Sequence, residues 1–204
     1  PNYAEDGIAF VATLEDGVFR TDNFGETWQQ WGFGLFDRNV LGVVVAPDFS
    51  HSKALYALTE TGIYLSRNKG RSWKLSDFPA ESAPVLCMAI SPSFAEDGRL
   101  YCGTETNGLY YSDNRGQSWH KMTQLDIEDS INAILLGIQF PDRPEILVIT
   151  EHALWYSEDA GESWSTLHDD VDFSDGLTTA LAPQGFSAGN PLLLGLTNGD
   201  ILTI

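Results

Sequence analysis

Ser112-Asp113-Asn114-Arg115-Gly116-Gln117-Ser118-Trp119 decides the reading of this chain, because the same eight-residue pattern occurs three more times. It stands as Thr21-Asp22-Asn23-Phe24-Gly25-Glu26-Thr27-Trp28, as Ser66-Arg67-Asn68-Lys69-Gly70-Arg71-Ser72-Trp73, and as Ser157-Glu158-Asp159-Ala160-Gly161-Glu162-Ser163-Trp164. The closing tryptophans are spaced 45, 46 and 45 residues apart. Self-similarity at a fixed period marks a repeat architecture, in which each unit buries its apolar face only against its neighbours.

Two further markers run in phase with the first. Upstream, an apolar run closes on Ala46-Pro47-Asp48-Phe49, Ser91-Pro92-Ser93-Phe94, Phe140-Pro141-Asp142 and Ala182-Pro183-Gln184, and Pro1-Asn2-Tyr3 matches the piece after such a run. Between the two lie hairpin turns such as Glu15-Asp16-Gly17, Glu60-Thr61-Gly62, Thr106-Asn107-Gly108 and Asn198-Gly199-Asp200, where glycine beside Asp or Asn between apolar residues signals a tight reversal. Each unit therefore holds four strands, A to D. In the third unit they are expected at Val85 to Ile90, Arg99 to Gly103, Gly108 to Ser112, and Ser118 to Lys121. Four strands in about 45 residues predict an all-β chain, a β-propeller of four-stranded antiparallel blades. Helical repeats are excluded because no window keeps an apolar period of 3.6 over three turns.

The pattern S-x-D-x-G-x-T-W resembles the Asp box, or BNR repeat, over nearly the whole chain. That resemblance implies a propeller superfamily that includes sialidases, xyloglucanases, sortilin-type receptors and the photosystem II assembly factor. It implies a fold far more narrowly than a function.

The residues of the box suit a turn between strands C and D. Gly25, Gly70, Gly116 and Gly161 are expected to supply positive φ. Asn23, Asn68, Asn114 and Asp159 are expected to fold back onto nearby backbone N–H groups. Trp28, Trp73, Trp119 and Trp164 are expected to enter strand D as buried wedges. With Asn in three of the four boxes, no calcium is expected there, and no cofactor is implied elsewhere. The first unit begins after its strand A, and the last, Leu177 to Ile204, carries A, B and C alone. About 18 strands in five units result, with first and last incomplete. The expectation is a single domain over 1–204 whose ring closes with five blades and takes a missing strand from a neighbouring segment, or else part of a longer propeller.

Composition narrows the partners. Twenty-nine acidic residues against eleven Lys and Arg give a net charge of −18, which opposes phosphate backbones and anionic headgroups. Nucleic acid and membrane insertion are not expected, and no apolar stretch nears the roughly 20 residues of a transmembrane helix. No basic n-region or apolar h-region opens the chain, and its compartment stays open. Cys87 and Cys102 lie on strands read as antiparallel neighbours and are expected to be buried free thiols rather than a bridge.

In an up-and-down blade the B–C and D–A connections share one face of the disc, and the A–B and C–D connections the other. Fifteen of the 29 acidic residues then fall on the first face, while Lys53, Arg67, Lys69, Arg71, Arg99, Arg115 and Arg143 gather on the second, mixed with acids such as Asp6, Asp97 and Asp113. The acidic face also carries Phe33, Phe36, Phe78 and Phe173, and aromatic anchors amid charge characterise recognition surfaces. Phe33, Phe36, Asp37, Phe78, Asp126, Asp129, Asp170, Asp172 and Phe173 are the candidate contacts for a protein with a basic surface. The alternative is that the acids only maintain solubility and discourage edge pairing. The run Asp169 to Asp175 lacks the glycine and glutamate spacing of a calcium loop and is read as solvated, and the four scattered histidines lack metal spacing.

Catalysis has weaker support. No Gly-x-Ser-x-Gly elbow occurs, and neither cysteine has a histidine in register. A sialidase-like site needs three convergent arginines, whereas only Arg20 and Arg38 are read as lying on or near the acidic side. A xyloglucanase-like site needs two carboxylates across a cleft, so carbohydrate remains the alternative ligand and glycoside hydrolysis the alternative activity.

Overall fold

A computed structural model describes residues 2–204, and the match of Pro1 to the other proline positions lies outside them. The described residues form five antiparallel sheets in sequence order. The first contains β1 (Ala9–Thr13), β2 (Gly17–Thr21) and β3 (Gln29–Gln30). The second contains β4 (Val40–Val45), β5 (Leu55–Thr59), β6 (Gly62–Ser66) and β7 (Lys74–Leu75), and the third β8 (Val85–Ile90), β9 (Leu100–Thr104), β10 (Leu109–Ser112) and β11 (His120–Lys121). The fourth contains β12 (Ile131–Leu136), β13 (Ile146–Thr150), β14 (Leu154–Ser157) and β15 (Ser165–Thr166), and the last β16 (Leu177–Leu181), β17 (Leu193–Leu196) and β18 (Ile201–Thr203). The fold is a β-propeller of four-stranded blades with a three-stranded blade at each end, as the repeat predicts.

Position within a blade sets burial. Strands β5, β9 and β13 are buried at every residue, because each is second in its sheet and is covered by blades on both sides. The outermost β7, β11 and β15 are exposed and two residues long, which leaves little edge for aggregation. Each innermost strand carries a register irregularity at its second residue, at Leu41, Leu86, Asn132 and Thr178, that breaks its pairing with the next strand. Such bulges increase local twist, and one recurs at the same place in each of these four blades.

Apolar packing lies between blades. One core cluster joins the first and second sheets around Val18 and Trp73, and another joins the second and third around Tyr56 and Trp119. A third joins the third and fourth around Tyr101 and Ile146, and a fourth joins the fourth and fifth around Leu147 and Phe186. Among the described residues no core cluster joins the fifth sheet to the first, so the five blades form an open arc and the expected five-bladed closure is corrected.

One-turn helices α1 (Tyr3–Asp6), α2 (Phe49–Ser52) and α3 (Phe94–Asp97) fill the A–B connections of the first three blades. None is long and apolar enough to cross a membrane. Cys87 and Cys102 are free: Cys87 pairs across the sheet with Gly103, and Cys102 with Met88, so the two are out of register. Burial pushes the Cys87 thiol up to about 12 and holds that of Cys102 well above its usual value.

Candidate partner-binding face and the boxes that support it

The boxes are closed polar turns. In the third, the Ser112 hydroxyl donates to Asn114 Oδ1 (2.9 Å) and accepts from the Gly116 amide (2.9 Å). Asn114 Oδ1 also accepts from the Ser118 amide (3.0 Å), and its Nδ2 donates to the Ser118 hydroxyl (2.7 Å). The boxes of Asn23 and Asn68 repeat this network. The Asp159 side chain has no N–H to donate, so the last bond reverses and the Ser163 hydroxyl donates to Asp159 Oδ2. Those bonds, with the Ser163 amide and Ser157 hydroxyl, hold the Asp159 carboxyl down at about 2.

The turn uses two left-handed residues rather than the single one expected. Each box glycine has positive φ, and so does the residue before it: Phe24, Lys69, Arg115 and Ala160, at φ 59, 64, 61 and 60. A left-handed non-glycine residue costs about 1–2 kcal/mol. Here that conformation aims the amide at a carbonyl of the A–B connection, Phe24 to Gly7, Lys69 to Lys53, Arg115 to Gly98 and Ala160 to Pro144, at 3.0–3.2 Å. These bonds tie the C–D turn to the A–B turn on one face of the arc.

The tryptophans precede strand D, and neighbours decide their burial. Trp73 donates its indole N–H to the Trp31 carbonyl (2.8 Å) and Trp119 to the Ser76 hydroxyl (2.9 Å), each on the preceding blade. Trp164 is half-buried and bonds to its own box at the Gly161 carbonyl (3.0 Å). Trp28 lies in the first blade, before which no sheet stands among the described residues, and is 41% exposed, so the expectation of a buried wedge is corrected for it.

On the other face, hydrogen bonds lace the B–C turns to the D–A loops. Gly17 donates to the Arg38 carbonyl, Glu105 to the Pro84 carbonyl and Leu177 to the Glu151 carbonyl. The Asn39 side chain donates to Glu60 (2.9 Å) and that of Asn107 to the Glu81 carbonyl (3.2 Å). This is the face on which Glu15, Asp16, Glu60, Asp126, Asp129, Asp170 and Asp172 stand exposed.

The loop between β3 and β4 brings together three of the candidate contacts. Phe33 and Phe36 are 82% and 89% exposed. Beside them a notch of about 240 Å³ is lined by Asp16, Gln30, Gly32, Phe33, Leu35 and Arg38. Asp37 is committed to the loop itself, accepting from the Thr61 hydroxyl (2.7 Å), the Thr61 amide (3.0 Å) and the Asn39 amide (3.0 Å). Burial opposes its charge, but these bonds outweigh burial and hold the carboxyl below its usual range.

Phe78 and Phe173 are not surface anchors, which corrects their assignment. Phe78 packs edge-on against Tyr110 and Trp119 in the core between the second and third sheets, and Phe173 is buried between the fourth and fifth. Arg20 is likewise displaced from its expected place: it lines a cavity with Lys53, Lys69 and Arg71 on the box side. Asp126 and Asp129 lie on the loop before the fourth sheet, and Asp170 and Asp172 on the loop before the fifth. Among the described residues no three His, Cys, Asp or Glu side chains converge as a metal-ligand set.

Glu145 gave no sequence signal, yet it is a buried carboxylate that accepts from the Tyr156 hydroxyl (2.9 Å), the Ser187 hydroxyl (3.2 Å) and the Ala188 amide (3.1 Å). Burial opposes its ionisation, and these bonds overcome it, lowering the carboxyl from its usual range. It ties the fourth sheet to the loop that leads into β17.

The same blade geometry recurs in proteins of known family. The family model described as Sortilin, neurotensin receptor 3 (Sortilin-Vps10) matches residues 61–176, more than half of the chain. The chain belongs to the Sortilin-Vps10 family. No curated protein matches it. Among solved structures, this Sortilin-Vps10 chain is similar to the GH74 xyloglucanase from Xanthomonas campestris, with TM-score 0.72 and 21% identity over 98% of this chain and 36% of that one. It is similar to YCF48 bound to D1 peptide, with TM-score 0.65 and 18% identity over 97% of this chain and 60% of that one. It is also similar to the extracellular domain of BT4673 from B. thetaiotaomicron, with TM-score 0.71 and 13% identity over 95% of this chain and 25% of that one. At these identities the likeness establishes the fold, and the chain spans only part of each of these structures.

Proposed function

We propose that the chain is a non-catalytic docking propeller whose acidic loop face binds a protein with a basic surface, anchored by Phe33 and Phe36. The observation that carries this reading is the pair of aromatic rings, 82% and 89% exposed, on one short loop of an acidic face. Exposed aromatic side chains lose apolar hydration when covered, and surrounding acids steer a cationic partner and reject anionic ones. The loop is braced by Asp37 and Asn39, so the rings are presented at little ordering cost.

An array of peptides graded in Lys and Arg content, each carrying an aliphatic or aromatic residue, tests this reading. Binding should rise with cationic content, weaken as salt is raised, and fall at least about tenfold in the Phe33→Ala/Phe36→Ala protein. Binding that ignores peptide charge or survives that double substitution would remove the proposal.

A second reading draws on the fold-level similarity to a GH74 xyloglucanase. The acidic face holds carboxylates of the type a glycosidase uses, and xyloglucan is neutral, so the net charge would not repel it. Turnover of xyloglucan oligosaccharides that disappears when one loop aspartate becomes asparagine would favour catalysis over docking.

A further inference from the structure

The second box departs from its siblings in charge. Around its turn it reads Arg67, Lys69 and Arg71, where the first reads Asp22, Phe24 and Glu26 and the fourth Glu158, Ala160 and Glu162. In a chain of net charge −18, these three cations stand within five residues of one another. Lys69 and Arg71 border a cavity of about 380 Å³ between the first and second blades, which Arg20, Asp22, Trp31, Lys53 and Asn68 also line. The volume lies within the range of pockets for small ligands.

Two details set this cavity apart from a merely solvated basic surface. Arg20 is 8% exposed, with its guanidinium 4.2 Å from the centre of the Trp31 ring and Nη1 bonded to Asp22 (2.9 Å), while its buried Nε has no hydrogen-bond partner. Arg71 approaches the same ring at 5.5 Å. The second detail is Lys53, which ends α2 at φ 57, where α1 and α3 end on Gly7 and Gly98, each at φ 60. The repeat uses glycine at this left-handed position twice, and only the blade with the cationic box puts a lysine there. Its carbonyl accepts the Lys69 amide (3.1 Å), so both lysines are anchored at the cavity through one backbone bond.

We propose that this cavity binds a small phosphate monoester. The lysines and Arg71 reach it on long, hydrated stems, and each such pairing contributes little with a monovalent anion in water. A dianion doubles every Coulomb interaction at once, and lysine serves phosphate well as a point charge while arginine adds fixed donors. Asp22, already paired with Arg20, is the one carboxylate in the lining.

Phenyl phosphate titrated at constant ionic strength, followed by the backbone amide resonances of Lys53, Lys69, Gly70 and Arg71, provides the test. Saturable shifts with a dissociation constant on the order of 1 mM are expected, with benzoate at least about fivefold weaker. Lys69→Glu should abolish the shifts. Lys53→Gly should raise Tm by relieving the left-handed lysine, yet weaken binding about threefold or more. Because that variant is expected to be more stable, lost binding cannot be ascribed to misfolding. Absence of saturation to about 20 mM, equal affinity for benzoate, or unchanged affinity in Lys53→Gly overturns the proposal. A phosphoserine peptide that binds more than about tenfold tighter than phenyl phosphate also overturns it, by assigning the cavity to phosphorylated chains.

Discussion

Trp28 and Trp119 hold the same place in the same eight-residue motif, yet Trp28 is 41% exposed and Trp119 only 6%. Their hairpins share the Asx and hydroxyl bonds almost bond for bond. The strands behind them diverge in the same sense: β1 is half-buried with Val11 exposed, whereas its equivalent β9 is buried throughout. Among the described residues the first blade has no innermost strand and no blade before it, and the third has both. The local turn is therefore self-sufficient, while burial is contributed by neighbours, as a nearest-neighbour repeat requires.

The largest test of that contrast removes the two indoles. Trp119→Ala should cost about 3–5 kcal/mol by urea denaturation, because it empties a packed site and leaves the Ser76 hydroxyl without its donor. Trp28→Ala should cost about 1 kcal/mol or less. Equal losses would show that the first blade is covered in solution by something else.

A smaller difference is expected at the box glycines. A Cβ on Gly116 would sit 2.7 Å from the Tyr56 ring, whereas one on Gly25 would meet only the Tyr3 hydroxyl at 3.7 Å. Both have positive φ, so Gly25→Ala should cost about 1–2 kcal/mol from conformation alone, and Gly116→Ala more by a further kcal/mol or so from the clash. Paired Tm measurements would separate the two contributions.

Acid sharpens the comparison between boxes of different chemistry. Asp159 has its pKa lowered from 3.8 to about 2, so its contribution to the fourth turn is present above 3.8 and is lost as pH falls through about 2. Exchange of the Ser163 amide should therefore accelerate between pH 4 and pH 2 relative to Ser118, whose partner Asn114 does not titrate. Asp159→Asn should remove that excess.

The smallest effect is expected at the docking loop. Phe36→Ala should change stability by less than about 0.5 kcal/mol, because its ring touches solvent rather than core. A larger loss would place the ring in a packing role and weaken the docking proposal.

Much of this was legible in the chain itself. The strand count, the blade boundaries and the box turns follow from the spacing of Trp, Gly and Asn or Asp, because a turn is a local structure in which a side chain bonds backbone within a few residues. Phe78 and Phe36 show where legibility ends. Both are loop phenylalanines beside acids, and only the position of the following blade covers one and leaves the other bare. Glu145 was silent for the same reason, since its donor Tyr156 is on its own blade but Ser187 and Ala188 lie some forty positions away in sequence.

By itself the sequence determined the repeat, its four-stranded unit and the polar turn that closes it, since each is decided by bonds within one period. Only the tertiary structure decided which tryptophan is buried, that the five described blades form an open arc, and that Arg20 joins the lysines of the second blade. Those outcomes depend on contacts between blades, where burial and proximity arise from packing across long stretches of chain rather than from any local pattern.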